Sequence, residues 1–132
     1  MSALADALTN TANNLIPLQV ELQSQGDQQS QYDAVRVNRA ISALLMDAGY
    51  VNAKDVESML SAEAKVSKRL SAITQQMDSA AAALAADKAN VTKIVNIATD
   101  IGSIIAGASN PLSLIPTIQD LLKNLNIQDP GV

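Results

Sequence analysis

A chain of 132 residues fits one domain and can bury a modest core. Hydrophobic residues make up 48% of it but aromatics only 2%, with neither Phe nor Trp, so the interior must be Ala, Leu, Ile, Val and Met, a set that favours close helix–helix contact over sheet. Having no His and no Cys excludes disulfides, the usual ligands of zinc, haem and iron–sulfur centres, and Ser–His or Cys–His triads, while a net charge of −4 from scattered acidic residues argues against nucleic acid as a partner.

The predicted class is all-α in a single domain over 1–132. The first 35 residues hold Asp6 and neither Lys nor Arg, which is unlike a secretory signal peptide. The chain has no run of about 18 to 20 apolar residues, the length a membrane-crossing helix needs. The sequence leaves the compartment open between the cytoplasm and export without a cleaved signal.

In chain order, a first helix is predicted over 2–25. Ser2 is a plausible N-cap, and Leu4, Leu8, Leu15, Leu18 and Leu22 keep heptad spacing, with Thr11 filling one slot. Pro17 lies inside this pattern without shifting its phase, which predicts one kinked helix rather than two. Gly26 suits the position after its end, and Gly26-Asp27 reads as a turn. A second helix follows over about 29–48, with Ala34, Val37, Ile41, Leu44 and Ala48 as its stripe and Gly49 as its stop. Asn52 is placed to cap what comes next.

That next stretch is the longest pattern in the chain. Steps of three and four residues from Val56 pass through Met59, Glu63, Val66, Leu70, Ile73, Met77, Ala80, Leu84, Asp87, Val91, Ile94, Ala98, Ile101 and Ile105 to Ala108. Only Glu63 and Asp87 are not apolar. An unbroken 3.5-residue rhythm predicts one long helix over about 53–106, roughly 75 Å at 1.5 Å per residue, forming the spine of an elongated bundle. The alternative is a break at 87–90, with Asn90 as N-cap, giving a compact up-down four-helix bundle and a short fifth helix. Ser109-Asn110-Pro111 reads as a turn, and a last short helix starts near Pro116-Thr117, with Thr117 and Asp120 as a capping pair and Ile118, Leu121, Leu122 and Leu125 as its stripe. The Asp129-Pro130-Gly131 tail is expected to be loose.

Two short helices cannot cover so long a seam. The candidate interaction residues are therefore Leu70, Ile73, Met77, Leu84, Val91, Ile94, Ile101 and Ile105, apolar positions that would seek another chain. Glu63 and Asp87 are the seam carboxylates, placed to fix register, titrate or meet a basic partner. Lys65, Lys68 and Arg69, with Arg36 and Arg39, offer a small basic cluster, more in keeping with a solvated helix face than with an anion site. Gly102, Ser103, Ala106 and Gly107 permit close helix approach. The carboxylates form no convincing acid–base pair, and no nucleophile motif or phosphate loop is present.

The expected function is non-enzymatic: a structural or interaction protein that self-associates or binds another helical protein, without cofactor or metal and without nucleic acid. The runner-up is a membrane-active helical protein using the 94–118 region. The Ile/Gly/Ala-rich stretch 94–108, followed by the Pro-bounded Leu112 to Ile118, is similar in texture to helical pore-forming toxins, which flank an apolar hairpin with long helices. That similarity implies contact with a lipid surface, a reading that ranks below protein–protein packing.

Overall fold

The computed structural model describes residues 2–131. Their regular elements are all helical: α1 (Ala3–Ser24), α2 (Gln28–Lys54), α3 (Val56–Ser61), α4 (Ala64–Ala85), α5 (Val91–Ala106) and α6 (Ile115–Leu125). Single 3-10 turns, Lys88–Asn90 and Pro111–Leu114, lead into α5 and α6.

α1 begins as expected, with the Ser2 hydroxyl accepting from the Ala5 N–H at 3.0 Å. Pro17 sits within it and the helix continues to Ser24. Pro17 and Asn13 are both exposed, so the carbonyl that loses its intrahelical donor can turn to water. Asp27 caps α2, accepting from the Ser30 N–H at 2.9 Å.

α2 does not stop at Gly49. It runs through Gly49 and Tyr50 to Lys54, and Gly49 does not adopt a left-handed conformation. A glycine inside a helix costs about 1 kcal/mol relative to alanine. Burying Val51 beyond it contributes about 1.5–3 kcal/mol, so packing carries the helix past its weakest residue. The stop is Asp55, at φ 55° and ψ 36°. Aspartate visits this region more readily than most residues.

The single long helix over 53–106 is not formed. That span is divided at three places: Asp55, just before the heptad series, and then the extended residue Glu63 and the segment 86–90 within it. The reason lies in the two polar seam positions. A continuous helix would hold the carboxylates of Glu63 and Asp87 in the apolar seam, where an unpaired charge is costly. Instead Glu63 precedes α4, its carbonyl accepting from Val66 and Ser67, and Asp87 is exposed, its side chain accepting from the Ala89 N–H at 2.9 Å. The break at 87–90 is the one the alternative placed there, but Asn90 does not cap α5 with its side chain; its Nδ2 donates back to the Leu84 carbonyl at 3.0 Å.

The breaks fold the seam back on the chain. α1 lies between α2 and α4, α2 also packs on α5, and α6 fills the space between α4 and α5, which touch each other little. α1 and α2 are antiparallel: the Ser2 N–H donates to Asn52 Oδ1 at one end, and Gln31 Nε2 donates to the Gln23 carbonyl at the other. α1 and α4 are matched at 22 residues each and run parallel, joined by Asn14 Nδ2 donating to the Asp78 carbonyl at 3.0 Å. The length mismatch expected from a continuous helix is gone. Gly107 at the end of α5 faces Leu114, and a Cβ there would lie 2.7 Å from Leu114 Cδ2, so that side chain would have to shift. α6 starts at Ile115, so Thr117 and Asp120 lie within it and do not cap it.

Candidate interaction surface

All eight apolar seam residues are inside the chain's own core. Leu70 and Ile105, the most exposed of them, keep only 7% of their surface. α4 and α5 present them to α1, α2 and α6, and no second chain is required to cover them. Leu70, Ile73, Met77, Ile101 and Ile105 border a cavity of about 20 Å³. It is lined only by apolar side chains and has room for about one water, far less than an apolar ligand occupies.

The basic cluster separates. Lys65 and Lys68 are exposed on α4, whereas Arg69 is buried. Its Nε donates to Asp129 Oδ1 at 2.9 Å and its Nη1 to the Lys65 carbonyl at 3.1 Å. The backbone N–H of Gly131 also donates to Asp129 Oδ1 at 2.8 Å, and that bond, followed by Arg69, holds the carboxyl below the usual carboxylate range. The tail through Gly131 is therefore fastened, not loose.

What the fold leaves outside is a stripe on α2. Tyr32, Arg36, Arg39, Ala43, Met46 and Tyr50 follow one another in steps of four, three, four, three and four residues. This is heptad spacing on the side away from the core stripe Val37, Ile41, Leu44 and Ala48. Met46 is 76% exposed, Tyr32 60% and Tyr50 48%, and Val35 flanks them half in solvent. The chain's only two aromatic side chains both stand on this surface, while the core is built without any.

Between this stripe and α5 lies an open furrow of about 400 Å³, floored by Ala40, Ala43, Val95 and Ala98. Its rim carries Arg36 and Arg39. Arg36 is held in place: Nη1 pairs with Asp33 at 3.1 Å, Nη2 donates to Thr92 Oγ1 at 3.3 Å, and the guanidinium lies 5.6 Å from the Tyr32 ring centroid. Farther along the same side is Asp47, whose carboxyl burial pushes up and whose Oδ2 has no hydrogen-bond partner. Small floor residues admit another backbone; Tyr, Arg and Met are the side chains enriched where proteins meet.

No family model, curated protein or solved structure matches this chain. Among the described residues, no helix is long and apolar enough to cross a membrane, and no three His, Cys, Asp or Glu side chains gather as metal ligands would.

Sequence reading passed over Tyr32, Met46 and Tyr50, and considered Arg36 and Arg39 only as part of a basic cluster with α4. The signal was present as a second 3.5-residue series on the same helix. It was masked because the apolar series beside it accounts for the core.

Proposed function

We propose that this protein is a non-enzymatic interaction module that binds a helix of another protein, or of a second copy, against the outer stripe of α2. One observation carries the proposal: two tyrosines, the only aromatic residues, are held in solvent at the two ends of a heptad-spaced row that includes Met46 and two arginines. Burying them on a partner helix would remove apolar area from water at about 25 cal/mol per Å². Heptad spacing is what a facing helix can follow.

The test is mass in solution by light scattering over a concentration series, with the wild type beside Met46→Lys and Tyr50→Ala. Self-association that both substitutions abolish, with circular dichroism unchanged, supports a second copy as partner. A monomer at all concentrations directs the search to a different helical protein, for which a peptide-array screen of amphipathic helices is the assay; uniform silence on the array would end the proposal. Leakage from anionic vesicles by the folded protein would instead favour the membrane-active reading of 94–118.

A further inference from the structure

The steps along the outer row of α2 from Tyr32 to Tyr50, four, three, four, three and four residues, read the same in both directions. A second α2 laid antiparallel can therefore meet this row with its own copy of it. Tyr32 then lies opposite the partner's Tyr50, Arg36 opposite the partner's Met46, and Arg39 opposite the partner's Ala43. The paired length is about 27 Å at 1.5 Å per residue.

The two flanks of the row differ in chemistry. Towards α5 stands Arg36, which lines the furrow and donates to Thr92, and three turns farther on the same side stands Asp47. Arg36 is held by Asp33 and Thr92, and its guanidinium still has N–H groups left after those two bonds. Asp47 has the converse need, an Oδ2 that accepts from no donor. Towards α1 stands Val35, beside Gln19 and Gln23, and three turns farther on that side stands Met46. Both are exposed apolar side chains.

A two-fold axis across an antiparallel helix pair brings like flanks together, and every contact occurs twice. Arg36 then meets the partner's Asp47, and Val35 meets the partner's Met46, each pair within one residue of the same level. Charge falls on charge and apolar on apolar. A parallel copy in register would instead set the two Arg39 side chains at one level and leave Asp47 beside no cation.

Resting on the reading of the stripe as a helix-binding face, we infer that its occupant is a second copy of this chain, paired antiparallel through α2 with Arg36 and Asp47 exchanged as ion pairs. Arg39 crosses the partner's Ala43, the smallest residue of the row, and carries its charged end out to water. The tyrosine pairs close the two ends.

The chain has no cysteine, so introduced single cysteines report the pairing without background. Val35→Cys and Met46→Cys, purified apart, are oxidised alone and mixed, and the products are separated on a non-reducing gel. The mixture should give on the order of tenfold more disulfide-linked dimer than either variant alone, since only the mixed pair can approach to bonding distance. Light scattering over a concentration series should show Arg36→Glu weakening the dimer on the order of tenfold, with the double variant Arg36→Asp, Asp47→Arg recovering most of the loss. Circular dichroism checks that each variant folds, and the cysteine pair decides the matter if the charge variants do not. A wild type that is monomeric throughout and forms no mixed disulfide overturns this inference, while leaving the stripe to a different helical protein. Each cysteine variant linking with itself as readily as in the mixture overturns the antiparallel pairing. Self-association that Met46→Lys leaves intact overturns both this pairing and the role of the stripe.

Discussion

Arg69 and Asp129 meet at 2.9 Å, 60 residues apart in sequence, and tie the segment after α6 to the first turns of α4. Arg69 keeps only 6% of its surface, so its guanidinium depends on that carboxylate and on the Lys65 carbonyl. Removing one partner of a buried pair leaves the other charge uncompensated. Asp129→Ala is therefore expected to destabilise the fold by about 2 kcal/mol. Arg69→Met, which removes the charge and keeps an apolar stem, should cost less. Urea denaturation of both variants checks the order; equal and negligible effects would show the contact to be ornamental.

Two glycines are expected to respond to alanine in opposite directions. Gly49 lies inside α2 with open space where a Cβ would go, so Gly49→Ala should raise stability by about 0.5–1 kcal/mol. Gly107 faces Leu114 at a distance a Cβ cannot accept, and Leu114 is itself buried. Gly107→Ala should cost about 1–3 kcal/mol through overpacking. Melting temperatures distinguish the two, and a drop for Gly49→Ala would restore the helix stop expected at Gly49.

Thr11 is completely buried in α1, and its Oγ1 has no hydrogen-bond partner. The hydroxyl occupies one slot of the leucine series that α1 turns to the core. Thr11→Val keeps the shape and removes the unsatisfied group, so stability should rise by about 1 kcal/mol. A loss of stability on denaturant titration would mean the hydroxyl is satisfied by a group such as an ordered water.

Stability should peak on the acid side of neutrality. Asp27, held down chiefly by the Ser30 N–H, and Asp129, held down chiefly by the Gly131 N–H, have folded-state values below their unfolded 3.8. Their contributions are present above 3.8 and disappear as pH falls through the folded values. Asp47, raised by burial, and Asp100, raised to about 7, have the opposite sign. Their contributions are full below 3.8 and are lost as pH rises, for Asp100 until about 7. The optimum is expected near pH 4–5, with a decline on the order of 1 kcal/mol towards neutrality after solvent screening is allowed for. Urea midpoints against pH measure it, and Asp100→Asn should flatten the neutral limb.

Much of the architecture was legible along the chain. Ser2 lies where the first helix needs its cap, and the aliphatic stripes of α1, α2 and α6 fall on the positions that are buried. The boundaries at 49–63 were not legible. Gly49 is a local stop signal overruled by the burial of Val51, while Asp55, which carries no strong stop signal, ends α2 in a left-handed conformation. The surface stripe from Tyr32 to Tyr50 was equally hidden, since spacing alone does not say which of two heptad rows on one helix faces inward.

Composition and periodicity by themselves determined an all-helical chain with an aliphatic core and its seam positions, because those follow from side-chain volume and the 3.6-residue turn. Tertiary structure alone decided that the seam closes on itself. Glu63 and Asp87 remain near water only if the helix breaks beside them, and once it breaks, α1, α2 and α6 are near enough to cover every isoleucine of the seam. The balance between one long helix and a folded-back bundle is a competition between local propensity and the desolvation of two carboxylates. Only contacts distant in sequence set its outcome, and those contacts placed α2's tyrosines, rather than the seam, in solvent.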